Sequence, residues 1–338
     1  MQATFIPEGY QSRLDIYDTQ KAISLLKRLF EDRLGALLNL QRVSAPLFVD
    51  EASGLNDNLN GYERPVSFDI LRSPHRAEIV QSLAKWKRLA LKRYGFYPGK
   101  GIVTDMDAVR RDEDELDALH SVYVDQWDWE KIILPENRNL DYLKSTVMDI
   151  VTAICDTQDT MQAIYPQLQA LGKLSRRVSF VTAQELEDMY PGFTPKEREN
   201  AYVREHPTTF IIGIGAPLRS GKPHDGRAPD YDDWALNGDL LFWYEPLGCA
   251  MEISSMGSRV DPRSLDFQLH ASGCDARREL PYHKMLLRGE LPLTIGGGIG
   301  QSRVSMLLLG KAHIGEVQAS IWDEETVREC EEAGVVLL

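Results

Sequence analysis

Basic residues are in short supply in this sequence. Lysine and arginine number 38 against 51 aspartates and glutamates, a formal net charge of −13. Proteins that grip nucleic acid displace counterions with a positive field, and no lysine- or arginine-dense block offers one, so no nucleic-acid partner is expected. Cysteine is scarcer still. Cys155, Cys249, Cys274 and Cys330 stand far apart, with neither a CxxC pair nor zinc-ligand spacing, and reduced thiols in a cytoplasmic protein are the plain expectation. Also missing are a charged-then-apolar N-terminal leader and any run of ~18 apolar residues that would span a bilayer. No repeat, low-complexity tract or long linker marks a break, so residues 1–338 are expected to form a single domain. With 43% apolar residues over 338 positions, there is enough material for a substantial core.

What is present reads as helices and strands in mixed order. Ala22, Leu25, Leu26, Leu29 and Phe30 share a helical face over 19–34, with Thr19 as the cap and Gly35 as the stop. Residues 140–164 repeat that pattern, and Thr182-Ala-Gln-Glu185 is a capping box. Strands are expected at 101–111, 209–214, 240–244 and 251–256, short proline-started helices near 262–271 and 281–288, and an extended segment broken at Pro46. The strands follow one another like hairpins rather than alternating βαβ, which favours an α+β fold with a mainly antiparallel sheet flanked by helices.

The stretch Leu119–Lys131, LHSVYVDQWDWEK, is the most unusual. Read as a strand, it puts Val122, Val124, Gln126, Asp128 and Glu130 on one face and Tyr123, Asp125, Trp127 and Trp129 on the other. An amide and two carboxylates backed by two tryptophans suit a polar binding surface on a rigid strand. A hairpin with 101–111 across the acidic connection 112–119 would bring Arg110 near Gln126 and Asp128.

The glycine run IGGGIGQSR (295–303) is neither a Walker A loop, lacking Gly-Lys-Ser/Thr, nor a dinucleotide fingerprint, since Gln301 sits where the last glycine belongs. It either leaves amides and Arg303 facing an anion at a helix start or serves a close backbone contact. GRAPDYDDW (226–234) reads as an exposed, solvated acidic loop. Asp239 and Glu252 lie at or in apolar strands, where a carboxylate needs a cation; either Mg²⁺ or an arginine such as Arg259 fits. Ser82 and Lys87, five apart, would face one ligand only from an irregular segment. No HExxH, GxSxG or Cys–His spacing is present. Anion-binding arginines, carboxylates and a polar strand face together suit an enzyme that activates a carboxylate with a nucleotide.

The blocks HSVYVDQWDWE, RAPDYDDW, LNGD, EISSMGSRV and LLRGELPLTIGGGIGQSR, with APLFVD and NDNLNG nearer the N-terminus, resemble ammonia-dependent asparagine synthetase (aspartate–ammonia ligase, AMP-forming) over nearly the whole chain. That resemblance implies a class II aminoacyl-tRNA synthetase-like catalytic domain, normally a homodimer, with Pro46 in the dimer-interface motif. It implies that Arg110 grips the α-phosphate of ATP and Arg303 the terminal phosphates, with Arg227 also at ATP, and that Asp239 and Glu252 hold Mg²⁺. The separation of those two carboxylates is longer than in the tRNA enzymes, which weakens the match at Asp239. Ser82, Lys87 and Arg259 match aspartate-binding positions, and Asp57, Gln126, Asp128, Asp232 and Ser255 match polar positions around aspartate and ammonia. The implied reaction is adenylation of the β-carboxylate, releasing pyrophosphate, then attack by ammonia with loss of AMP. Asp57 and Asp232 are the candidates to deprotonate ammonium. The rivals are an aspartyl- or asparaginyl-tRNA synthetase core and a non-catalytic amino-acid sensor on the same fold. Against the first stand the charge and the lack of an anticodon-binding module before the first long helix; against the second, the intact Arg110, Glu252 and Arg303. A glutamine-dependent synthetase is disfavoured because Met1-Gln2 lacks the N-terminal cysteine nucleophile.

Overall fold

The structure, a computed structural model, describes residues 4–57, 59, 63–113 and 116–338. Parts of the block 56–61 and of the acidic connection 112–119 lie outside the described residues. Helix α1 spans Ile16–Leu38. It starts before Thr19 and runs through Gly35: Asp15 is the cap, accepting from the Asp18 amide at 2.8 Å, and Asn39, at φ 57°, makes the left-handed exit. Strands β1 (Leu40–Arg42) and β2 (Phe48–Asp50) flank Pro46, followed by β3 (Ser67–Phe68) and β4 (Ala77–Ile79). Helix α2 (Ala84–Arg93) leads to β5 (Gly101–Val109) and β6 (Tyr123–Ile132), which pair as the expected hairpin. Helix α3 covers Leu140–Ile164, capped by Asn139.

Strand β7 (Ser179–Thr182) runs into α4 (Ala183–Met189), where Thr182 and Glu185 form the capping box; α5 (Pro195–Glu205) opens the same way with Thr194 and Glu197. Then come β8 (Thr208–Ile212), β9 (Asp232–Tyr244), β10 (Cys249–Arg259), α6 (Pro262–Ala271), α7 (Pro281–Leu287), β11 (Thr294–Gly300), α8 (Gln301–Leu309) and α9 (Glu324–Glu332). Strand β9 begins well before the apolar run at 240–244, because its polar first half pairs with the end of β10, Asp232 opposite Arg259 and Asn237 opposite Gly257.

The main sheet has eight strands in the order β1-β5-β6-β11-β10-β9-β8-β7; β2, β4 and β3 form a small second sheet. Only the outer pairs β1–β5 and β7–β8 are parallel, so the sheet is mostly antiparallel with helices packed on it. Helices α1, α3 and α8 bury one face: Trp127 and Trp129 point into that core, with Trp127 and Phe30 ring centroids 4.5 Å apart. On the other face α2 covers the β5–β6 end through Leu83 and Trp86 against Ile102, Met106 and Ile132. Between these apolar regions the polar side chains of β6 face a cavity. All four cysteines are free, Cys155 and Cys330 buried. Among the described residues no helix is long and apolar enough to cross a membrane.

Candidate active site

The glycine run is a central strand, not a loop around an anion. Strand β11 pairs with β6 on one side and β10 on the other, so its backbone serves the sheet ladder. Its glycines make room for side chains. A Cβ on Gly296 would fall 2.0 Å from Glu130 Oε2, and one on Gly298 would fall 2.2 Å from Gln126 Oε1. Bare backbone lets the long polar side chains of β6 lie across β11 toward residues from β10. Of the two sequence readings of the run, close approach is the correct one for the glycines; Arg303 alone is carried on toward the cavity by α8.

A cavity of about 680 Å³ opens over this strand pair. In its lining Lys87, 1% exposed, donates to the Gly297 carbonyl at 2.9 Å and pairs with Asp128 at 3.0 Å. Lys87 lies in the first turn of α2, while Ser82 precedes the helix and accepts from the Ala84 amide at 3.1 Å. That irregular start is what lets both line one cavity. Arg259 is gripped by both Glu130 oxygens (2.8–3.0 Å) and by Asp232. A planar, five-donor guanidinium so held is fixed in orientation. Burial pushes the Lys87 ammonium below its usual pKa despite Asp128. Burial works against the Arg259 charge too, but Glu130 and Asp232 more than offset it. Gln126, Asp128 and Asp57 line the cavity too, and burial raises the Asp57 carboxyl although Lys85 pulls the other way.

Arg110, Arg227 and Arg303 line the same cavity, and Arg227 approaches Asp232, the carboxylate that also holds Arg259. Arg110 follows β5, its amide bonded to the Val122 carbonyl at 2.8 Å. The hairpin register therefore sets it opposite Val122 rather than beside Gln126 and Asp128, which face Met106 and Thr104. Its Nε is buried with no partner among the described residues. Arg303 Nη1 donates to the Glu252 carbonyl at 3.0 Å. A smaller adjoining pocket of about 260 Å³ is lined by Arg110, Arg227, Asp239, Glu252 and Ser255.

Asp239 and Glu252 meet through Ser255, whose hydroxyl oxygen lies 2.7 Å from Asp239 and 2.9 Å from Glu252 and can give its one proton to either. The arginine on Asp239 is Arg227, not Arg259. Burial and the neighbouring Glu252 raise Asp239 to about 7 in spite of Arg227. Glu252 is pushed up by burial but held below the usual range by Arg303 and Arg227. Among the described residues no cluster of three or more acidic, histidine or cysteine side chains forms a full metal cage. Two carboxylates beside a polar pocket nevertheless fit Mg²⁺, which takes few protein ligands and completes its shell with phosphate and water. Glu252, ionised and not paired to a guanidinium through its side chain, fits better than Asp239.

All the residues expected from sequence thus line this cavity or the pocket beside it. The 226–234 segment is the correction. Asp230, Asp232 and Asp233 are 0%, 1% and 7% exposed, not solvated, because each meets a cation: Lys85 and Arg277 at Asp230, where His283 Nε2 also lies 2.9 Å away, Arg259 at Asp232, Arg138 at Asp233. Sequence reading also passed over Lys85 and Gln81. Lys85 carried a weak signal, a lysine in the apolar first turn of a helix; Gln81 carried none.

The family model described as Aspartate-ammonia ligase matches residues 17–334. Relatives named Aspartate--ammonia ligase include one from Lactobacillus acidophilus, 58% identical over 98% of this chain and 99% of its own length. Another, from Clostridium perfringens, is 58% identical over 100% of both chains. Among solved structures, asparaginyl-tRNA synthetase from Entamoeba histolytica in complex with asparaginyl-adenylate superposes with TM-score 0.66 at 14% identity, over 90% of this chain and 66% of that one. The Pyrococcus horikoshii enzyme complexed with asparaginyl-adenylate also gives 0.66, at 16% identity, covering 89% of this chain and 68% of that chain. At such identities the likeness establishes the fold, that of a class II tRNA synthetase catalytic domain. The protein family is fixed by the relatives: this chain belongs to the aspartate-ammonia ligases and is a ligase of asparagine biosynthesis.

Proposed function

We propose that the chain is a single catalytic unit that converts aspartate, ammonia and ATP to asparagine, AMP and pyrophosphate through β-aspartyl-AMP. The observation that carries this reading is that Lys87, Arg259, Arg110, Arg227 and Arg303 all line one cavity. Lys87 and Arg259, with Ser82 beside them, bind the carboxylate of aspartate that does not react, and Gln126 with Asp128 receives its ammonium. The β-carboxylate is then directed at the α-phosphorus, where Arg110 neutralises charge on the phosphoryl oxygens while Arg303 holds the terminal phosphates. Mg²⁺, when bound, would be held by Glu252, with Asp239 and Ser255 beside it, and supplies further charge neutralisation at the phosphates. Pyrophosphate leaves as the new acyl–phosphate bond forms.

In the second step ammonia attacks the acyl carbon, the carbon–oxygen bond to phosphate breaks, and AMP departs with that electron pair. Ammonium must first give up a proton. Asp232 is committed to Arg259, with Arg227 Nε 3.8 Å away, so its oxygens are already taken up by guanidinium groups. Asp57, its proton affinity raised by burial, is the better acceptor. The second proton leaves the nitrogen as the amide forms. We also propose ATP as the nucleotide substrate and a homodimer as the working assembly.

The test is incubation with aspartate, ammonium and Mg·ATP, assaying AMP and asparagine together. Equimolar AMP and asparagine are expected, and ADP in place of AMP sinks the adenylation step. Arg110→Ala should cut aspartate-dependent pyrophosphate exchange by 100-fold or more, on the order of losing one charge-stabilising donor; near-parental exchange in a folded variant removes Arg110 from the chemistry.

A further inference from the structure

Gln81 is 1% exposed, lines the cavity beside Asp57, and neither its amide oxygen nor its amide nitrogen has a hydrogen-bond partner among the described residues. Leaving both ends of a buried amide unpaired is costly in a resting protein, because each end loses its hydration without replacement. Its backbone, by contrast, is tightly fixed. Asn56 Oδ1 accepts from the Gln81 amide at 2.9 Å and from the Asp57 amide at 3.0 Å, stitching the two residues side by side. Behind them Lys85 is committed to Asp230 at 3.1 Å, so that cation is not free to fill the gap.

We propose that Gln81 and Asp57 form the ammonium subsite of the amidation step, a role that rests on the reaction proposed above. Ammonium is a small cation with four N–H donors and needs convergent acceptors. The Asp57 carboxylate supplies charge and accepts the proton, and Gln81 Oε1 supplies a neutral acceptor. Neutrality matters: a second carboxylate would hold the cation but make its proton harder to remove. Once the proton has passed from nitrogen to Asp57, Gln81 Oε1 still accepts an N–H from ammonia and keeps its lone pair aimed at the acyl carbon. No other co-reactant is required.

The experiment compares Gln81→Leu with Gln81→Glu in the full-length protein. It measures the KM for ammonium and for aspartate in asparagine formation, alongside aspartate-dependent pyrophosphate exchange, which needs no ammonia. Gln81→Leu is expected to raise the KM for ammonium about tenfold more than it affects exchange or the KM for aspartate, the worth of one hydrogen bond to a charged group. Gln81→Glu keeps an acceptor and should leave the KM for ammonium no higher than the parent's. Equal losses in the aspartate and ammonium parameters of Gln81→Leu would overturn the subsite, as would a KM for ammonium raised equally in both variants. If the parent itself shows no aspartate-dependent exchange, the adenylation reading fails and not the subsite alone.

Discussion

Arg259 is built to meet a carboxylate because two others already hold it. Glu130, fully buried, takes Nε and Nη2, and Asp232 takes Nη1. Burial alone would push the Glu130 carboxyl up, but the Arg259 charge and hydrogen bonds bring it below its usual pKa. A folded-state pKa below the unfolded one gives stabilisation that is complete above the unfolded value and is lost as pH falls through the folded one. Glu130→Gln removes the negative anchor without removing volume. It should raise the KM for aspartate about tenfold or more, as expected when a buried charge pair loses one partner, and flatten the loss of stability below about pH 4. Aspartate titrations in pyrophosphate exchange and urea melts at pH 7 and pH 3 check both; an unchanged KM would make Glu130 a purely structural counter-ion.

Strands β6 and β11 work as a pair, the first supplying polar side chains and the second supplying space. This explains why a run that looks like a phosphate loop is a strand, and why alternate glycines, 296 and 298, face Glu130 and Gln126. Gly298→Ala should force Gln126 off its position, since 2.2 Å is far inside contact distance. The expected result is a KM for aspartate raised about tenfold with little change in Tm, because the atom displaced is the end of a flexible, half-buried side chain, read by aspartate titration and thermal melting. A variant with parental KM would mean that the position of the Gln126 amide does not govern aspartate binding. Much of this element level was legible in the sequence. Alternation placed Gln126, Asp128 and Glu130 on one face, and the capping box at 182 is local chemistry. The start of β9 was not legible, because Asp232 to Asn237 holds Trp234 as its one strong strand former among strand-poor residues and is held there by its partner β10.

The molecule as a whole depends on buried polar groups remaining in one charge state. His313 is fully buried, accepts from the Gly315 amide at 3.0 Å, and is pushed by burial down to about 4, against the charges of Asp117 and Asp323. Its folded-state pKa lies below the unfolded value, so the unfolded chain binds more protons as pH falls from about 6.5 to 4 and stability drops across that window. His313→Asn, which retains an acceptor for the turn, should lose less between pH 7 and pH 4.5. The difference is at most about 3 kcal/mol and is measured by denaturant melts; identical pH slopes would show that His313 does not govern acid stability.

The amino-acid order alone determined the antiparallel α+β fold, the long helices, the hairpin and the polar face of β6. These follow from periodicities of two and 3.6, and from caps that act within four residues. Only tertiary structure decided which charge meets which. Asp230, Asp232 and Asp233 read as a solvated loop because their cations, Lys85, Arg259 and Arg138, lie far away in sequence and approach only when the sheet closes. The same holds for Gln81, whose significance is that folding leaves its amide without a partner, a property no local pattern encodes.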